Sequence, residues 1–310
     1  MPEMNPILVK ELRSRMRGPR AFVLMSIYLL VLSGAVLLLY MAMASNTSSN
    51  IGTGREIGKA LFLMIGVVAL IQVCLITPSL TSGSIAGERE RQSYDLLIAS
   101  PLSSWQIIWG KLASALAFAF LLVLSVLPLM AMAFLFGGVS LTELVIALIG
   151  LLVTCISYAS IGIFWSAIMR SPLSATSFAL GSVLLFLVGL PFLIVIFGMI
   201  FWQNTLNPLS ESVFFTHLAR ITLATHPFIA LAFTETVLSQ GGDAWFEQVE
   251  IASRTVTMPN LWILYVIFSI LLSAVLLLVS VRAIGPGRSA AATPTTHTSP
   301  PANMPKTTAE

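Results

Sequence analysis

Residues 87–104 read Gly-Glu-Arg-Glu-Arg-Gln-Ser-Tyr-Asp-Leu-Leu-Ile-Ala-Ser-Pro-Leu-Ser-Ser. Five charges (Glu88, Arg89, Glu90, Arg91 and Asp95) fall within eight residues, and Leu96, Leu97 and Ile98 follow directly. Ser100-Pro101 closes the segment, because the residue before a proline is pushed out of helical geometry. Ser103 with Gln106 then forms a capping box that opens the next helix. Residues 87–100 therefore read as one short amphipathic helix. Such a helix between two long apolar runs is either a docking surface, its charges orienting a partner, or a self-paired solvated helix. In the second case Glu88 meets Arg91 at i,i+3 and Arg91 meets Asp95 at i,i+4. The residues alone leave both open.

The flanking chain sets the class. It is 57% hydrophobic and 9% charged, with mean hydropathy +0.93, against roughly 25% charged residues in a soluble domain. The expected fold is an all-α integral membrane protein with six transmembrane helices at about 22–44, 59–86, 107–136, 143–169, 173–201 and 261–282, each close to or above the ~20 residues that cross a bilayer. Ala42-Met43-Ala44 before Ser45 mimics a signal-peptidase site, but the apolar run is too long for a signal peptide and reads as a retained span. Residues 5–20 read as an interfacial helix: Asn5 caps it, Pro6 suits its first position, and Ile7, Leu8, Leu12 and Met16 oppose Lys10, Arg13, Arg17 and Arg20. Pro78 and Pro128 interrupt the second and third spans, and Gly181, Gly189, Pro191 and Gly198 should bend the fifth.

The connection at 202–260 is the longest polar-containing region. Its semi-apolar part, 212–234, is broken by Arg220 and His226-Pro227 and reads as a re-entrant or interfacial helical pair. Trp262 and Tyr265 open the last span as interfacial anchors. Residues 1–284 thus form one transmembrane domain, and 285–310, rich in Thr, Pro, Ala and Ser, a disordered tail. With the N-terminus in the cytoplasm, twelve of the sixteen Lys and Arg lie on cytoplasmic segments. The expected topology is therefore a multi-pass protein of the plasma (inner) membrane with both termini and residues 87–104 inside.

Little in the chain suggests chemistry of its own. Cys74 and Cys155 sit in apolar runs, and His217, His226 and His297 lack metal-ligand spacing. Gly52-Thr53-Gly54-Arg55-Glu56-Ile57-Gly58-Lys59-Ala60 fails as a phosphate loop: five residues separate Gly52 from Gly58, and Ala60 replaces the magnesium-binding hydroxyl. No catalytic, metal or cofactor-binding residue is expected, and no nucleic-acid partner. The span cores carry no charge of the kind ion-coupled carriers keep, and Glu143 reads as a solvated helix-start charge. Gln72 and Tyr158 could border a translocation path, though interhelical hydrogen bonding is the commoner fate of such residues. If the protein transports, its energy comes from elsewhere.

Residues 87–103 resemble the segment between the second and third spans in the membrane-spanning subunits of type-2 (export-class) ABC transporters, usually G-E-R-E-x-G-T-x-E-L-L-x-x-x-P-x-S. Asn5-Pro-Ile-Leu-Val-Lys-Glu-Leu-Arg-Ser-Arg15 is similar to that family's helix before the first span. The resemblance implies the permease subunit of an ATP-driven exporter that pairs with a second, identical or related permease subunit. A separate cytoplasmic ABC subunit would bind ATP and magnesium and engage the coupling helix at Glu88, Arg89, Glu90, Arg91, Tyr94, Asp95, Leu96 and Leu97, with Arg170 in the next turn. Gln92-Ser93-Tyr94 departs from the usual Gly-Thr-hydrophobic, and the connection at 202–260 is long. A non-transporting membrane scaffold that anchors a cytoplasmic complex is the alternative.

Overall fold

The computed structural model describes residues 19–45, 54–201, 213–251 and 254–284. In chain order the elements are α1 (Pro19–Ser45), α2 (Gly54–Ser82), two short helices α3 (Ala86–Glu90) and α4 (Tyr94–Ile98), α5 (Ser104–Leu135) and α6 (Leu141–Ile168). Then come α7 (Pro172–Leu184), a π-helical turn Leu185–Gly189, α8 (Leu190–Phe201), α9 (Val213–Ala224), α10 (Pro227–Ser239), strands β1 (Phe246–Ile251) and β2 (Arg254–Pro259), and α11 (Leu261–Ile284). Among the described residues six helical stretches are long and apolar enough to cross a membrane, as the sequence implies; the fifth runs Pro172–Ile196 and passes through the π turn. The interfacial helix expected at 5–20 lies outside the described residues except for Pro19 and Arg20, which begin α1, and so does the tail at 285–310.

Local signals in the sequence place the helix starts. Ser103 Oγ accepts from Gln106 N at 3.3 Å, and Ser103 N donates to Gln106 Oε1 at 2.9 Å. Ser140 and Glu143 repeat that capping box on α6, at 3.2 and 3.1 Å. This corrects the expectation for Glu143, whose carboxylate is buried at 7% exposure and closes the cap. Gly137 and Gly138 turn the chain between α5 and α6 in the left-handed region (φ 83° and 89°), where a side chain is disfavoured.

The core is built on the seam between α2 and α6. At Gly162 an added Cβ would overlap Thr81 Oγ1 and the backbone oxygen of Pro78, so the two backbones touch where only hydrogen fits. Thr81 Oγ1 donates across the seam to Ala159 O at 3.0 Å. One side of the seam is filled by Tyr28 and Leu32 of α1 and by Phe118, Leu122, Val126 and Met130 of α5. On the other, α11 docks through hydroxyls: Ser157 Oγ donates to Ser269 O at 3.1 Å, and Thr154 Oγ1 meets Tyr265 OH at 2.6 Å. Tyr265 is therefore an interhelical hydrogen-bonding residue at 5% exposure, not an interfacial anchor. Trp262 donates Nε1–H to Ala244 O at 2.7 Å.

Residues 213–251 and 254–259 fold as a cap over one end of the bundle. α9 and α10 meet at 114°, the bent pair expected of this region. The sequence reading missed the antiparallel β1–β2 hairpin. Arg220 binds α9 to the hairpin through Glu247 (2.8 Å) and Pro259 O (3.1 Å), while Lys59 pairs with Glu235 at 3.2 Å. Burial, then the nearby Glu143 carboxylate, push the Glu235 carboxyl above its ordinary range, and Lys59 pulls it back. Because α10 meets the N-terminal half of α2, at Lys59 and Gly66, the cap lies at the end of the bundle opposite α3 and α4.

Gly162→Ala should force the α2–α6 seam apart and cost about 1–3 kcal/mol. Gly150→Ala, on the same helix but with nothing within 4 Å of the added carbon, should stay within about 0.5 kcal/mol. Thermal unfolding of the two purified variants in one detergent checks the pair.

Candidate functional site

The segment after α2 is held by α6 from its first residue. Ser166 Oγ accepts from both Ile85 N (2.9 Å) and Ala86 N (3.1 Å), so one hydroxyl satisfies two of the amides that a helix start leaves open. Ile85 is fully buried with Ile108 and Leu112 of α5, Ile163 and Ala167 of α6, and Leu277 and Ile284 of α11; Tyr94 and Ile98 pack against the same cluster.

The sequence reads 87–100 as one helix, and the structure divides it. Gln92 lies at φ 58°, a left-handed conformation that costs a non-glycine residue roughly 1–2 kcal/mol. The kink falls where the resembled motif carries glycine. Ser93 bridges the break, its N donating to Glu88 O at 3.0 Å and its hydroxyl to the Glu88 carboxylate.

The charge cluster is divided as well. Glu88 turns inward and pairs at 3.3 Å with Lys111 of α5, whose side chain is 1% exposed. An ammonium so buried needs its counter-charge, since an uncompensated one costs several kcal/mol. Arg89 reaches sideways: its Nη1 donates to Met169 O at 2.9 Å, and its guanidinium lies 4.8 Å from the Tyr94 ring centroid. That bond brings the Arg170 turn, separated by some 80 residues in sequence, against α3. Glu90, Arg91, Asp95, Leu96 and Arg170 are exposed, Leu96 at 77%, and Leu97 is half-buried. Beside them Trp105 and Trp109 stack on one face of α5, with centroids 6.0 Å apart and planes at 15°, each about half exposed.

The two sections of chain named from sequence, 88–97 and Arg170, are thus neighbours, with their charges in two roles. Lys111 and Ser166, which do the anchoring, were not singled out. Lys111 carried a signal: a lone charge two turns into α5, flanked by the core residues Ile107, Ile108 and Leu112.

Gln72 and Tyr158 are not brought together. Gln72 Nε2 donates to Tyr28 O at 3.1 Å and braces α1 on α2. Tyr158, at 4% exposure, has the Cys74 thiol as a polar neighbour and borders a cavity of about 260 Å³ walled by Phe164, Phe186, Phe268 and Leu272. Gln72 is not among that cavity's lining residues.

Compared with known families, the chain matches the model described as ABC-2 family transporter protein over residues 45–281, well over half its length and including every residue of this surface. A comparison with curated proteins finds no match.

Glu88→Ala should destabilise the protein by about 1–3 kcal/mol by removing the carboxylate paired with the buried Lys111 ammonium, and adding Lys111→Met should recover part of the loss. Gln92→Val should cost about 1–2 kcal/mol, with Gln92→Gly neutral or better. Unfolding midpoints of the four variants measure both effects.

Proposed function

Since the chain belongs to the ABC-2 family of transporter membrane proteins, as the match over residues 45–281 establishes, we propose that two copies, or this chain and a related one, form an ATP-driven exporter and that α3–α4 with the Arg170 turn is where its ATP-binding subunit docks. Family membership makes the chain a multi-pass membrane permease component that works with an ATP-binding subunit and has no ATPase activity of its own. ATP and magnesium belong to that partner.

The observation that carries the docking reading is the division of the charge cluster. Glu88 and Arg89 fix the segment to α5 and α6, while Glu90, Arg91, Asp95, Leu96 and Arg170 stay exposed. A force applied to that face passes through Ser166 and Lys111 into the third and fourth spans. In this reading the face is cytoplasmic, the cap at 213–259 is extracytoplasmic, and residues 1–284 are one permease unit with a tail beyond. Only 11% of the residues in the most apolar part of the first and of the fifth span are buried, which leaves their outer sides to lipid or to the second permease subunit. Of the two path candidates, Tyr158 borders open space and Gln72 serves packing.

Reversing two exposed charges, Glu90→Lys with Asp95→Lys, should weaken association with the ATP-binding subunit roughly tenfold without lowering the unfolding midpoint. Co-purification and ATP-dependent export from proteoliposomes read the effect. Unchanged association and export would refute the docking face; an ATPase-inactive partner that still supports function would identify a scaffold instead.

A further inference from the structure

The fifth span contains a gap that its own sequence creates. In a regular α-helix the carbonyl of Leu187 receives the N–H four residues on, and residue 191 is proline, which has none. The helix widens to a π turn over Leu185–Gly189 just before it. A buried carbonyl left open costs free energy comparable to a lost hydrogen bond.

His226 fills the gap. Its Nε2 lies 3.0 Å from Leu187 O, and its Nδ1 lies 3.4 Å from Ile229 N, where it caps the start of α10. A carbonyl only accepts and an amide N–H only donates, so Nε2 must carry the proton and Nδ1 must be bare. Both bonds require one neutral tautomer. The ring is stacked on Phe186 (6.2 Å, 24°) and lies against Phe228, at the 114° elbow between α9 and α10.

We propose that His226 is a positioning residue that locks the elbow of the α9–α10 pair to the Pro191 break in span five, and that a second proton on its imidazole releases the lock. Protonated Nδ1 cannot accept from Ile229, so the cap is lost while two like-facing N–H groups meet. The inference goes beyond the transport reading and does not depend on it.

The surroundings allow this switch. Phe186 and Leu187 face the ring from span five and Phe228 from α10. The neighbouring cluster adds Tyr158 of α6 and Cys74 of α2, groups that are uncharged near neutral pH. The charges on the two arms are engaged elsewhere, Arg220 with Glu247 and Glu235 with Lys59, and His217 of α9 is exposed. Burial pushes the His226 imidazole below its ordinary value, opposed by the Leu187 bond. The closed elbow therefore holds the neutral ring. Its stability is complete above the ordinary histidine value of about 6.5 and falls as pH drops below it, where an open elbow takes up the proton.

Amide hydrogen exchange on the full chain in lipid nanodiscs tests the lock, read as protection factors over 185–195 and 227–232. His226→Asn keeps an acceptor near Nδ1 and should loosen only span five; His226→Gln keeps a donor near Nε2 and should loosen only the first turn of α10. Each loss should be about five- to tenfold, the equivalent of one hydrogen bond. Pro191→Ala, which restores the missing N–H, should return span five of His226→Asn to wild-type protection. Between about pH 7.5 and about pH 5.5 the wild-type α10 turn should lose protection roughly tenfold, and the His226→Asn turn should not. A flat wild-type profile, equal loosening of both segments in the two single variants, or failure of Pro191→Ala to rescue overturns the proposal.

Discussion

The contact of α2 with α6 at Gly162 is the constraint from which the rest follows. A hydrogen in place of a side chain lets the Pro78–Thr81 backbone lie on α6, and Thr81 seals the approach with a bond to Ala159. Without a hydrophobic drive between helices in lipid, such close backbone approach and buried hydroxyl bonds are what hold spans together. One turn beyond Gly162, Ser166 receives the chain as it leaves α2. The seam thus decides where α3 begins, which residues of the charged stretch turn inward, and which face remains outside.

The elements defined by local chemistry were legible in the sequence. Apolar length marked the six spans, Ser103 and Ser140 with their partners three residues on marked two helix starts, and His226-Pro227 marked the bend between α9 and α10. What could not be read depends on partners distant in sequence. Glu88 meets Lys111 rather than Arg91, because a buried ammonium competes for a carboxylate more strongly than a solvated guanidinium one turn away. Glu143 closes a buried cap and Tyr265 bonds Thr154, although each looked like a boundary residue. The β1–β2 hairpin had only a weak signal, the alternation Thr255-Val256-Thr257-Met258, and its stability comes from Arg220 on another element.

The candidate surface shows the same division. Its position in the chain, between the second and third spans and closed by Ser100-Pro101, was legible in the residues, whereas Arg170 entered only with the family resemblance. Its internal economy was not legible. Of the nine residues named, Glu88 and Arg89 hold the segment in place, Tyr94 lies under the Arg89 guanidinium, and the outward set is smaller than the motif suggests. The left-handed Gln92 separates the two short helices, so that Glu90 and Arg91 lie before the break and Asp95 and Leu96 after it.

The stacked pair Trp105–Trp109 lies in the first turns of α5, beside the charge cluster in sequence. Lys111 is two residues, about 3 Å, further along the same helix. Lys111 is enclosed by protein and Glu88 is mostly so, their side chains 1% and 23% exposed, whereas Glu90, Arg91, Asp95 and Arg170 face a solvent whose Debye length is about 8 Å at physiological ionic strength. Salt acts on the two halves of one charge cluster unequally: it screens the exposed charges most and the Glu88–Lys111 pair that holds the segment in position least.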